Sequence, residues 1–434
     1  MGYPNVFPAR RDIAANGAAP WLALLLASLW LVAPAAASPT LIPGADLDSV
    51  RAWLIERNPE LRALQAEAEA AQARVLPAGA LPDPMAEVQL MGIDPDRPSF
   101  LPGNVDATTW RLRQSFPMWG KRGLAREVAR HEASAAGLDR EAAALDLLAR
   151  AEEAYVRFWH AREAVAVLDR QIELLGQLEE VARTRYALGI AAQQDSIRAQ
   201  VARTGLQRER IARLAARGEA AAMLNAVLAR PADAPLAEPA SEPELPLPAE
   251  RLDQVLAMLA DAGHPALQAS AARTEAAEAA FELQRRARYP DLSLGFGVMQ
   301  RDDRVEGYEV MLAVEIPLQQ RARREREREA RLRGDAARAR SDALAAGLAG
   351  QLGQAWSQAR AARDQRRLIE QTLVPQAQAN FESALASYRV GEVDFGTLLE
   401  ALDAWQGAAL AQVDARRDEL VAAAAVGAIT GGVR

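Results

Sequence analysis

Two pairs of alternating segments, written twice about two hundred residues apart, constrain this chain more than any other feature. In the first pair, Leu81-Pro82-Asp83-Pro84 leads into Met85–Met91. A Pro/Gly/Asp-rich break, Gly92–Asp106, follows, and then Thr108–Phe116, which ends in Phe116-Pro117. Strand side chains alternate between faces. Thr108, Trp110, Leu112, Gln114 and Phe116 therefore share a mainly apolar face, and Thr109, Arg111, Arg113 and Ser115 share a polar one. In the second pair, Tyr289-Pro290-Asp291 leads into Leu292, Leu294, Phe296 and Val298, alternating with Ser293, Gly295, Gly297 and Met299. After a turn at Arg301–Gly307, Tyr308, Val310, Leu312, Val314 and Ile316 alternate with Glu309, Met311, Ala313 and Glu315 and end in Ile316-Pro317. Pro82 to Pro290 is 208 residues and Pro117 to Pro317 is 200. Asn58-Pro59 with His264-Pro265, and Tyr186-Ala-Leu-Gly189 with Tyr388-Arg-Val-Gly391, keep the same offset. The chain is an internal duplication, each half a helix, a hairpin and long helices.

The expected organisation is a secretory leader over 1–37, a first repeat over 38–230, a linker over 231–248 and a second repeat over 249–434. Arg10 and Arg11, the apolar Trp21–Val32 and Ala35-Ala36-Ala37 supply the three parts of a leader. Its twelve-residue apolar core spans only ~18 Å as a helix, short of a ~30 Å bilayer core. Strands are expected at about 84–91, 107–116, 291–299 and 308–316, with helical hairpin tips at about 186–192 and 388–393. Helical patterns fill Leu47–Leu76, Met118–Arg185, Gln193–Ala229, Ala249–Arg288, Gln319–Ser387 and Asp394–Ile429. A helix over Met118–Arg185 would reach ~100 Å and is too polar for lipid, so it runs through an aqueous space. Six prolines within 231–248 indicate an extended linker. Pro375 has no counterpart in the first half and predicts a kink or break near Thr372–Pro375.

Four strands with one apolar face must bury it. No other segment supplies a second sheet for a soluble sandwich, whereas strand length and alternation suit a transmembrane barrel. Placing Arg111 and Arg113 in lipid would cost ~2–4 kcal/mol each near the midplane, so they are expected in the lumen. Four strands cannot close a barrel, and open edges are not tolerated in lipid. Copies must pool strands, eight from a dimer or twelve from a trimer.

Little in the chain suggests catalysis. There is no cysteine, which excludes disulfides and thiolate metal sites. The net charge of −7 argues against nucleic acid. The arginines of Arg321–Arg333 are interleaved with Glu325, Glu327 and Glu329, as on a solvated helix face. His131, His160 and His264 have no partner at i+4, Gly120-Lys121 lacks the rest of a phosphate loop, and no Gly-x-Ser-x-Gly occurs. The expectation is a non-enzyme without cofactor or metal site.

Leu-Pro-Asp-Pro (81–84), Phe-Pro-x-x-Gly-Lys (116–121), Arg-Tyr-x-x-Gly (185–189), Tyr-Pro-Asp-Leu (289–292), Val-Glu-Ile-Pro-Leu (314–318) and Tyr-x-x-Gly (388–391) form an ordered set. With it the chain, from Leu47 to Ile429, resembles the TolC-type outer membrane factor family. The wording Phe-Pro-x-x-Gly-Lys-Arg is similar to the heavy-metal (Czc/Cus-type) efflux branch. The resemblance implies a mainly α fold, with a homotrimeric twelve-stranded barrel in outer membrane lipid and an α-helical barrel in the periplasm. It implies as partners a periplasmic adaptor (membrane fusion protein) and an inner-membrane pump of the RND type. The function implied is an exit duct for efflux, of heavy-metal cations or alternatively of drugs or proteins. It also implies that Tyr186, Gly189, Tyr388 and Gly391 mark tips where the adaptor docks. The family's constricting carboxylates lie six and nine residues beyond the second tip glycine, at Thr397 and Glu400 here. Asp394, Glu400 and Asp403 are the entrance-gate candidates, with Glu400 favoured by that spacing. A periplasmic coiled-coil adaptor would share the helical hairpins but would carry its strands in a compact soluble domain.

Overall fold

The computed structural model describes residues 42–102, 104–302 and 304–431; the expected leader lies outside them. Each repeat begins with two helices joined at a capped proline. Asp46 accepts from the Ser49 amide (2.7 Å) and starts α1, Leu47–Arg57. The Asn58 side chain accepts from the Glu60 amide (2.8 Å) and starts α2, Pro59–Ala78. After α5 (Leu252–Ala262), His264 does the same for α6 (Pro265–Arg286), its Nδ1 accepting from the Ala266 amide at 3.1 Å. Proline at the first helical position costs no hydrogen bond, and a polar side chain before it satisfies an otherwise orphaned amide. Burial lowers the His264 pKa, which keeps the ring neutral and its Nδ1 an acceptor.

The long helices are α3 (Lys121–Ala187), α4 (Gln193–Val227), α7 (Gln320–Leu368), α8 (Val374–Val390) and α9 (Phe395–Thr430). At 67 residues, α3 is ~100 Å long. The duplication is visible in the packing. In the first repeat Val50 and Leu54 of α1 pack with Leu147 and Tyr155 of α3 and Leu224 of α4. In the second, Val255 and Leu259 of α5 pack with Leu352 and Ala359 of α7 and Val426 of α9. Tyr155 is fully buried, and burial pushes its hydroxyl pKa up to about 12. Near the tips one cluster joins both halves, with Leu175 and Leu178 of α3 against Phe381 of α8 and Leu398 and Leu402 of α9.

Pro375 does not break its helix. A π turn, Ile369–Leu373, joins α7 to α8, and the backbone stays helical through Val374 (φ −63°, ψ −50°). The wider turn accommodates a residue that has no amide to donate and crowds the carbonyl four positions back.

The linker is extended, and it is also tied down. Ala237 and Ala240 amides donate to Pro43 and Ala45 carbonyls (3.0 and 2.9 Å). Glu238 pairs with Arg162 and Arg217 of the first repeat, and Glu242 with Arg366 and Arg416 of the second. Arg363 donates to the Pro248 carbonyl at 3.1 Å.

The two hairpins form one antiparallel sheet in the order β1 (Met85–Met91), β2 (Ala107–Phe116), β3 (Asp291–Arg301), β4 (Arg304–Glu315). The second hairpin differs from expectation. Strand pairing continues to Arg301 opposite Arg304, so the segment expected as a turn is mostly strand. A bulge between Met299 and Gln300 absorbs the change of register and increases local twist. Strands β1 and β4 are the two free edges.

Candidate functional site: the sheet faces and the helical tips

Register makes the polar face of the sheet a charged row. Glu87, Arg111, Gly297 and Glu309 are cross-strand partners in sequence across all four strands. Arg111 reaches over Gly297 to Glu309, its Nη2 lying 2.7 Å from Oε1, while its Nη1 lies 3.3 Å from Glu87. Arg113 meets the other Glu87 oxygen at 2.5 Å. The glycine leaves this crossing open: a Cβ at Gly297 would lie a tight 3.2 Å from the Trp110 carbonyl and in ordinary contact, 3.6 Å, with the Arg111 Cβ. On the opposite face Trp110, Leu112, Phe296, Tyr308, Val310 and Leu312 are 44–80 % exposed. Such a continuous apolar face on a folded chain marks an interaction surface.

The tips end in matching reversals. At the first, Gly189 has φ +71° and the Ile190 amide donates to the Arg185 carbonyl (2.9 Å). At the second, Gly391 has φ +84° and the Glu392 amide donates to the Ser387 carbonyl (2.9 Å). This is the six-to-one closure that needs a left-handed residue, hence glycine. The tyrosines of the repeated motif part company. Tyr186 is 46 % exposed, beside exposed Leu188, Ile190 and Val390, whereas Tyr388 is 3 % exposed and packs on Phe395 at 5.3 Å. Burial raises the Tyr388 pKa. Its surroundings are fastened by Arg185, whose Nη1 donates to the Tyr388 and Arg389 carbonyls (2.7 and 2.9 Å) and whose guanidinium lies 4.7 Å from the Tyr388 ring. Arg185 sits in the motif, but its role as the tie between the tips is not legible from spacing. Sequence reasoning did not single out Glu87 and Glu309, although period-two parity, which puts them on the arginine face, is a signal that could have found them.

The three acids beyond the second tip separate as well. Asp394 caps α9, accepting from the Thr397 amide (2.7 Å) and hydroxyl (2.9 Å). The Thr397 amide bond is the main cause of its lowered pKa. Thr397, which stands where the resemblance leads one to expect a carboxylate, thus completes a cap. Glu400 and Asp403 lie one turn apart on the exposed side of α9. Partial shielding first, and then the Glu400 charge, push the Asp403 pKa up. Among the described residues no cluster of three acids or histidines is placed to hold a metal ion, and no helix is long and apolar enough to cross a membrane.

An open-edged sheet with one apolar and one charged face is thus continued by ~100 Å helices that end in capped tips. Residues 256–432 match the family model described as outer membrane efflux protein. Comparison with curated proteins gives no match. Among solved structures, the chain is similar to the outer membrane protein VceC from Vibrio cholerae, with 19 % identity, 89 % of this chain and 96 % of that one covered, and a TM-score of 0.73. It is similar to CusC, with 15 % identity, 90 % and 93 % covered, and a TM-score of 0.74. It is also similar to the open state of the MtrE outer membrane channel of Neisseria gonorrhoeae, with 18 % identity, 90 % of each chain covered, and a TM-score of 0.73. The match to the outer membrane efflux protein family lies in the second repeat, and the fold of the chain is that of these outer membrane channels.

Proposed function

We propose that three copies of this chain form a twelve-stranded barrel and a periplasmic tunnel. The assembly is the exit duct of a tripartite efflux system, fed by an inner-membrane pump of the RND type through a periplasmic adaptor. The observation that carries this is the four-stranded sheet with both edges free. Its unpaired edge groups must find partners in lipid, and β4 of one copy can add to β1 of the next. The charged row then faces the lumen and the apolar face meets lipid. In mild detergent the assembly should have the mass of three chains. Within it Arg113→Cys should react with a water-soluble thiol reagent and Leu112→Cys should not. A stable monomer, or the opposite labelling, would sink this architecture.

The adaptor docks at the exposed tips, on Tyr186, Leu188, Ile190 and Val390, with Gly189 and Gly391 shaping the surface and Tyr388 supporting it from within. The cargo we propose is a heavy-metal cation, with drug or protein export by the same duct as the alternative. The row of Glu87, Arg111, Arg113 and Glu309 balances its charges, so it gives the barrel little preference for either sign. Selection then belongs to the tunnel entrance, where three copies of Glu400 and Asp403 would form an acidic ring, while Asp394 serves as a cap. Acidic rings favour cations. Glu400→Ala should lower cation selectivity and divalent-cation block in planar-bilayer recordings, and channels that select like the parent would remove the ring from this account.

A further inference from the structure

Twelve lysines and arginines against five carboxylates fall in three short segments, 119–130, 282–291 and 318–328, of a chain whose net charge is −7. The fold brings these segments to one level. The first opens α3 after β2, the second closes α6 before β3, and the third opens α7 after β4. At the rise of a helix each lies within ~15 Å of the sheet. The periplasmic end of the sheet therefore carries a cationic collar.

Directly above the collar the apolar face continues through Ile316 and Leu318, which are 68 % and 83 % exposed. Trp119 and Tyr289 lie at the same boundary, half-exposed, with ring centroids 5.3 Å apart. Aromatic rings between an apolar band and water mark the headgroup level of a membrane. Some collar arginines already have partners. Arg285 pairs with Glu282, Arg288 with Glu327, and Arg323 donates to the Ala287 carbonyl. Arg321, Arg324 and Arg328 are exposed and, among the described residues, have no carboxylate partner. Their spacing of three and four places them along one side of α7.

We propose that this collar binds the phosphate headgroups of anionic phospholipids in the inner leaflet of the outer membrane, with Arg321, Arg324 and Arg328 as its principal contacts. The inference rests on the proposal that the apolar face of the sheet meets lipid, with which the collar is continuous. A guanidinium keeps its charge and presents a planar fork of donors that matches phosphate oxygens. Its stem lies along apolar surface while the head reaches the polar layer. The collar would thereby fix the height of the barrel in the membrane.

The test uses the assembled protein in nanodiscs of mixed dioleoylphosphatidylcholine and dioleoylphosphatidylglycerol, with retained lipid counted by native mass spectrometry. The parent should retain phosphatidylglycerol preferentially. The triple variant Arg321→Gln, Arg324→Gln, Arg328→Gln should lose that preference by about tenfold, and Arg340→Gln, farther along α7, should keep it. The proposal is overturned if the parent shows no preference or if the triple variant keeps the parent's preference. It is equally overturned if the triple variant falls into single chains, which would put these arginines between copies. A lost preference accompanied by a shifted reversal potential would also overturn it, because the arginines would then line the duct. Cysteine labelling of the sheet is read separately, so failure of the barrel and failure of the collar are distinguishable.

Discussion

Replacing Gly391 with valine should abolish transport while the chain still reaches the outer membrane and assembles. The left-handed backbone at φ +84° costs an L residue roughly 1–2 kcal/mol, and a β-branched one is disfavoured further. The surroundings add to this. A Cβ at Gly391 would already touch the Arg185 guanidinium at 3.7 Å, and the two branches of valine would press on the group that holds the Tyr388 and Arg389 carbonyls. The tie between the tips and the reversal itself would fail together. Gly189→Val should cost less, since nothing lies within 4 Å of a Cβ there and only the backbone term remains. Gly391→Asn, which tolerates the left-handed region, should recover part of the activity. Resistance of cells to the exported substrate, read beside the amount of assembled protein in outer membrane fractions, checks all three variants. Normal export by Gly391→Val would remove the second tip from the mechanism.

Glu419→Ala should destabilise the helical body strongly. Glu419 is 3 % exposed and faces Arg366 at 2.5 Å and Arg363 at 3.7 Å. Removing one partner of a fully buried pair costs ~3–5 kcal/mol, because the other charge stays buried and unpaired. Arg366 is partly exposed and also bonded to Glu370 at 3.1 Å, so about 2–3 kcal/mol is expected here. The loss should spread, because Glu370 lies in the π turn and bonds Arg416 at 2.8 Å, and Arg416 holds Glu242 of the linker. Thermal unfolding of the detergent-solubilised assembly is the measurement, and an unchanged midpoint would show the network to be ornamental. Burial raises the Glu370 pKa, but hydrogen bonds from Arg416 and Arg366 outweigh it and leave the value lowered. A depressed carboxylate contributes stability above its unfolded pKa, and that contribution is lost as pH falls through the folded value. The assembly should therefore weaken below the usual glutamate range, and Glu370→Gln should blunt that acid sensitivity.

The duplication, the strands, the apolar face and the glycine-ended tips were legible because they depend on near-neighbour rules. Period-two alternation separates Leu112 from Arg113 whatever the strand pairs with. A left-handed helix end calls for glycine at 189 and 391 wherever the tip lies in space. Even there, Arg301–Gly307 read as a turn because of its composition, and the bulge after Met299 turned most of it into strand.

What the sequence by itself determined is the periodic skeleton: two helix–hairpin–helix repeats, with Arg111 and Arg113 set on the face away from the apolar residues. What only the tertiary structure decided is how the repeats meet. The pairing of β2 with β3 placed Gly297 opposite Arg111 and opened the way to Glu309. Packing of α3 and α8 on α9 set Arg185 on the second tip, and burial divided Tyr388 from Tyr186, although the two occupy the same place in the motif. The linker became a belt because Glu238 and Glu242 found arginines in different repeats. The physical reason is common to all of these. Local geometry follows from residues a few positions apart, whereas burial and ion pairing depend on which of many distant surfaces come into contact, and one chain's local pattern does not specify that choice.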